Sequence, residues 1–113
     1  GGQFFPSFGL PASFATAGDA LAIKTRSDVI VCTMISQPDG TYRGDYCREI
    51  PVQSYLTDDD SAAATRLTAD LVKDMEGVIR RQPEFWLWTY KRWKYIPEGD
   101  APEKYPFYRR KAV

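Results

Sequence analysis

Three tryptophans and three cations fall within residues 83–94, which read PEFWLWTYKRWK. Rings interleaved with Lys91, Arg92 and Lys94 suit the headgroup zone of a membrane, where indoles bury their apolar bodies and cations meet anionic phosphates. The same residue types can close a core with cation–π contacts from Lys91 or Arg92, or stack on single-stranded nucleic acid. Trp86, Trp88, Tyr90 and Trp93 are therefore aromatic interface or core residues, and Lys91, Arg92 and Lys94 are candidate contacts to a substrate or headgroup. A formal charge of 15 basic against 15 acidic residues speaks against nucleic acid as the partner.

The 113 residues contain no histidine. That removes Ser-His-Asp and Cys-His nucleophiles and His-liganded zinc, leaving carboxylates, Lys, Tyr and thiols for acid–base work. Cys32 and Cys47 are too few for a disulfide scaffold and lack metal-ligand spacing. Asp58, Asp59 and Asp60 open a helix and point in different directions around it, which disfavours a metal site. No glycine-rich loop leads into a Lys-Ser or Lys-Thr pair. The sequence thus assigns no catalytic residue, no metal and no cofactor.

The elements that must position the aromatic segment follow from periodicity and turn chemistry. The length suits one domain, and 43% hydrophobic residues suffice for a core. Charge is split along the chain: residues 80–113 carry nine Lys or Arg against four Asp or Glu, and residues 1–79 carry six against eleven. The longest strongly apolar run, VIVCTMI, falls far short of the ~20 residues of a membrane span, and no signal peptide is recognisable.

Residues 1–12 read as an extended lead-in punctuated by Pro6, Gly9 and Pro11. Residues 13–26 read as a short amphipathic helix capped by Ser13. Residues 29–35 predict a strand buried on both faces, and residues 41–49 its hairpin partner. Pro38 and Gly40 predict a three-residue turn that sets Gln37 opposite Thr41. Continued along the ladder, that register puts Cys32 opposite Tyr46 and the two cysteines on opposite faces, as free thiols. Residues 57–82 predict a long helix with the apolar stripe Leu67, Leu71, Val72, Met75, Val78 and Ile79. Pro83 then suits the start of a second short helix to about residue 93, with Trp86, Tyr90 and Trp93 on one face. An extended tail completes three regions: lead-in 1–12, a helix-hairpin-helix body 13–82, and an aromatic basic helix and tail 83–113. The fold class is α/β, a small sheet or hairpin flanked by helices.

Three stretches also resemble one family. Residues 83–94 with the following Pro97-Glu98-Gly99 are similar to the C-terminal signature of the bacterial lipid A biosynthesis acyltransferases, approximately P-E-x-W-x-W-x-H-R-R-W-K. Phe8-Gly9-Leu10-Pro11-Ala12 resembles that family's F-F-G-x-P-A segment, and LAIKTRSDVIVCTMISQPDGTYR its L-A-x-K-T-G-A-x-V-V-P-V helix and strand followed by D-G-x-Y. Tyr90 stands where the family usually has His, Lys91 where it often has Arg, Ser27-Asp28 replaces Gly-Ala, and Cys32 sits near a Pro or Val.

The resemblance implies transfer of an acyl chain from acyl carrier protein to a hydroxyl of a lipid A precursor. It also implies a catalytic His, with an acid five positions later, ahead of the F-F-G segment. Such a pair is absent here, so the expectation is the C-terminal portion of a larger acyltransferase fold, inactive alone. The parent enzyme would lie peripherally on the cytoplasmic face of the bacterial inner membrane, with any anchor outside these residues and an anionic membrane surface as a further partner. Apolar sheet surface exposed in such a portion could support a homodimer. The competing expectation is a non-enzymatic interaction module that binds a membrane surface, protein or nucleic acid through the aromatic basic region.

Overall fold

A computed structural model describes residues 2–110. The fold is α/β, with two separate two-stranded antiparallel sheets and helices against them. The first sheet pairs β1 (Gly2–Ser7) with β2 (Leu10–Ala15). Helix α1 (Ala17–Thr25) follows, then β3 (Val29–Ser36) and β4 (Tyr42–Ile50) form the second sheet. A long helix α2 (Asp60–Arg81) crosses the body, and a four-residue helix α3 (Phe107–Arg110) closes the described chain. The particle is a slab of 45 × 42 × 19 Å with a radius of gyration of 16.1 Å, against about 13 Å for a compact domain of similar length. Two thin layers bury one face of each element and leave the other exposed.

The expected lead-in is a β-hairpin, which corrects two boundaries. Phe8 (φ 49°) and Gly9 (φ 81°) both take left-handed backbone at the two-residue turn, the requirement of a type I′ connection whose twist matches the strands. Pro6 and Pro11 face each other across the ribbon. Each strand of a two-stranded ribbon has an unpaired side, so prolines that would break a central strand are tolerated here. Ser13 consequently lies in β2 opposite Phe4 and caps nothing; α1 begins after Thr16, whose side chain makes no capping bond. Arg26, at φ 56°, ends α1 in the left-handed conformation, and the Ser27 amide returns to the Ala22 carbonyl at 3.0 Å.

The long helix follows its sequence signals. Asp59 caps it by accepting the amides of Ser61 and Ala62 at 3.0 and 3.1 Å. Its apolar stripe supplies Ala63, Ala64 and Leu67 to a core completed by Ala22, Ile23, Ile50, Val52 and Tyr55. Leu67 is fully buried. Polar ties fix the elements around that core: the Thr68 hydroxyl donates to Asp19 of α1, Tyr55 Oη donates to Asp70 at 2.6 Å, and Arg48 of β4 pairs with Asp74 at 2.5 Å. The Val52 amide donates to Asp28 at 2.9 Å, joining the exit of β4 to the entry of β3.

β3 is not buried on both faces. Its residues alternate, with Val29 and Val31 packed on the core while Ile30 and Met34 are 65% and 58% exposed, because a single layer of helix covers only one side. The turn has the expected three-residue form: Gly40 is left-handed at φ 85°, its amide donates to the Gln37 carbonyl at 3.0 Å, and the Gln37 amide donates to Thr41 at 2.7 Å. From Ser36–Tyr42 to Met34–Gly44 the expected register runs. A bulge then leaves Asp45 without a partner, so Thr33 faces Tyr46 and Cys32 faces Cys47. The cysteines are free thiols, yet on the same face, which corrects the placement on opposite faces.

Candidate functional site

The aromatic basic segment is not a helix. Only the 3-10 turn Pro83–Phe85 is regular, and residues 86–101 run as successive turns. Two physical reasons explain it. Trp, Tyr and Thr crowd the preceding turn of a helix and have weak helix propensity. In addition, the Pro83 carbonyl, which a helix would give to the Leu87 amide, accepts instead from Trp88 Nε1 at 2.7 Å and from the Trp86 amide at 3.2 Å. The expected shared face of Trp86, Tyr90 and Trp93 therefore does not exist as a helix face.

The segment folds instead against the β1–β2 turn and the C-terminal half of α2. Trp86, Trp88, Arg92 and Trp93 join Ser7, Phe8, Val72, Met75, Glu76 and Ile79 around a cavity of about 30 Å³, room for water-sized groups only. Phe8 is held in its left-handed conformation by α2: Glu76 Oε2 accepts the Phe8 amide at 3.1 Å, and the Arg80 guanidinium lies 4.8 Å from the ring centre. Glu76 Oε1 accepts from Arg80 Nη2 at 2.8 Å. The bond from Arg80 first, and that from the Phe8 amide second, hold the Glu76 carboxyl below its ordinary range. A bulky residue at positive φ is costly, and here an ion pair and a cation–π contact maintain it.

The four aromatic and three basic residues divide between inside and outside. Trp86 and Trp93 are half-buried, whereas Trp88 is 61% exposed and Tyr90 is exposed. Trp93 Nε1 is buried with no hydrogen-bond partner among the described residues, and the Trp93 amide donates to Tyr108 Oη at 3.2 Å. Arg92 turns inward, its guanidinium 4.5 Å from the Phe14 ring centre and 5.0 Å from that of Tyr90. Lys91 and Lys94 are exposed, Lys94 lying 5.0 Å from the Tyr95 ring centre. The sequence foresaw a basic aromatic cluster but gave no sign that Phe8, Phe14, Glu76 and Arg80 would complete it. The Phe8-Gly9 pair was the available signal, since a glycine in a tight turn marks left-handed backbone.

A second, open depression of about 440 Å³ runs between β3 and α2, lined by Ile30, Val31, Cys32, Thr33, Leu71, Met75, Val78 and Trp86. Its walls are almost wholly apolar, and its size is that of small-molecule sites. No cluster of metal-ligating side chains occurs among the described residues, and none of their helices is long and apolar enough to cross a membrane.

Comparison with known proteins supplies one match. The family model for bacterial lipid A biosynthesis acyltransferase covers residues 1–95, from the first hairpin through the aromatic segment. No curated protein matches the chain, and no solved structure matches it.

Proposed function

The chain belongs to the bacterial lipid A biosynthesis acyltransferase family, and on that premise we propose that it serves transfer of a fatty acyl chain from acyl carrier protein to a hydroxyl of a lipid A precursor. The family match over residues 1–95 carries this reading. With no histidine in the sequence, the general base and its acid partner come from outside these residues, which act as the C-terminal portion of the enzyme. The apolar depression between β3 and α2 suits a lipid substrate. Lys91 and Lys94, exposed beside Trp88 and Tyr90, meet phosphates of the acceptor or of cytoplasmic-leaflet lipids at the bacterial inner membrane. Arg92, stacked on Phe14 and Tyr90, holds the segment in place and adds its charge to theirs.

Two measurements test this. The 113-residue chain, given acyl carrier protein loaded with a fatty acid and a lipid A precursor, should give no product, and turnover by the chain alone would overturn the assignment of the base. Replacing both Lys91 and Lys94 by Gln should weaken binding to anionic vesicles roughly 30-fold, at about 1 kcal/mol per lysine; unchanged binding removes the headgroup role. The exposed Leu87, Trp88 and Tyr90 also fit a binding module without catalysis. A longer native product that carries this sequence and remains inactive would favour that second reading.

A further inference from the structure

The β3–β4 hairpin brings together two thiols whose sulfur chemistry the acyl-transfer reading does not use, although Cys32 lines the apolar depression beside α2. Cys32 and Cys47 are directly opposed, with their Sγ atoms 3.2 Å apart. Both are exposed, on the face of β3 that also carries Ile30 and Met34 and that points away from the core. Their meeting depends on two backbone features: the Pro38–Gly40 turn that starts the ladder and the bulge at Asp45 that advances β4 by one residue. A disulfide needs sulfurs at about 2.05 Å and Cβ atoms within roughly 4.5 Å, and directly opposed residues on one sheet face lie about 4.5–5.5 Å apart at Cβ. Closure therefore asks for small side-chain rotations and a slight approach of the strands. Exposed or slightly strained bridges are the labile, reversible ones.

We propose that Cys32 and Cys47 form a reversible dithiol–disulfide site whose co-reactant is a low-molecular-weight disulfide. One thiolate attacks a sulfur of the small disulfide, forming a mixed disulfide and releasing one small thiol. The second protein thiol, on losing its proton, attacks the protein sulfur of that mixed disulfide and releases the other small thiol. The protein pair loses two electrons and two protons, and the small disulfide gains them. In the structure both cysteines are free thiols, and hydrogen bonding with Cys47 pushes the Cys32 thiol up, which lowers its thiolate fraction. The product staples the hairpin across its outer face and leaves the ladder and the core contacts of Val29 and Val31 in place.

The test uses the 113-residue chain in buffers of graded oxidised to reduced glutathione, quenched with acid, alkylated with N-ethylmaleimide, and read by intact mass and peptide mapping. The expected product has lost two hydrogens, takes up no alkylating reagent, yields a Cys32–Cys47 linked peptide and returns to the dithiol with dithiothreitol. Cys32→Ser and Cys47→Ser should each stop at the mixed disulfide with one glutathione. Accumulation of doubly glutathionylated wild-type chain, covalent dimers, or two alkylatable thiols under conditions that modify the serine variants would each overturn the proposal.

Discussion

The body around α2 and the aromatic segment after it are held by different physics. In the body, Leu67, Ile23 and Ile50 are removed from water, and non-directional burial of apolar area carries most of the order. In residues 83–110 the rings other than buried Tyr105 are half-exposed or exposed, and directional contacts fix the path: Trp88 to the Pro83 carbonyl, Arg92 over Phe14, Trp93 to Tyr108, Tyr105 to Asp100. A region ordered by a few directional contacts can loosen while the body remains folded. The difference implies that the surface offered to a partner is adjustable, whereas the platform beneath it is not.

Leu67→Ala should break the comparison at its strong end. Truncating a fully buried leucine costs about 2–5 kcal/mol, and urea unfolding should show body and segment lost together; survival of the body signals would mean the core does not rest on Leu67. A smaller effect is expected at alkaline pH. Burial, and then the bond from its hydroxyl to Asp100, push Tyr105 up to about 12. The folded state holds this proton more tightly than the unfolded chain, so the stability is fully present below about pH 10 and is lost as pH rises toward about 12. Ultraviolet titration should lose a late step in Tyr105→Phe, while Tyr55, pushed up by its bond to Asp70 and by burial, stays late. The smallest effect is expected for Arg92→Ala, about 1 kcal/mol for the cation–π contacts of a half-buried guanidinium. Hydrogen exchange should quicken in residues 86–94 and stay constant in α2; equal change in both would erase the distinction between the two regions.

Legibility in the sequence followed the same division. The long helix was readable because a capping Asp and an apolar stripe act within a few residues of each other, and the Pro38–Gly40 turn because φ preferences are local. The β1–β2 hairpin was hidden behind Pro6 and Pro11, which break central strands and are harmless in an isolated ribbon. The helix expected over 84–93 failed because Trp88 reaches back to Pro83 and tertiary contacts to Phe8 and Phe14 outweigh a weak local preference. Lys91, Arg92 and Lys94 were readable as a cluster, but only packing separated inward Arg92 from the two lysines. The facing thiols were missed by a single bulged residue, which no turn rule specifies.

That bulged residue also makes the hairpin forgiving of changes in gene length. Asp45 has no partner across the ladder, and the pairs on either side, Met34 with Gly44 and Thr33 with Tyr46, are complete without it. Loss of its codon would straighten β4 and keep every pair from Ser36–Tyr42 to Val29–Ile50, whereas a codon lost at paired Arg48 would move Cys47 or Glu49 into a neighbour's place. One strand of this hairpin thus carries a spare position at which the lineage can shorten without renegotiating which side chains face the core.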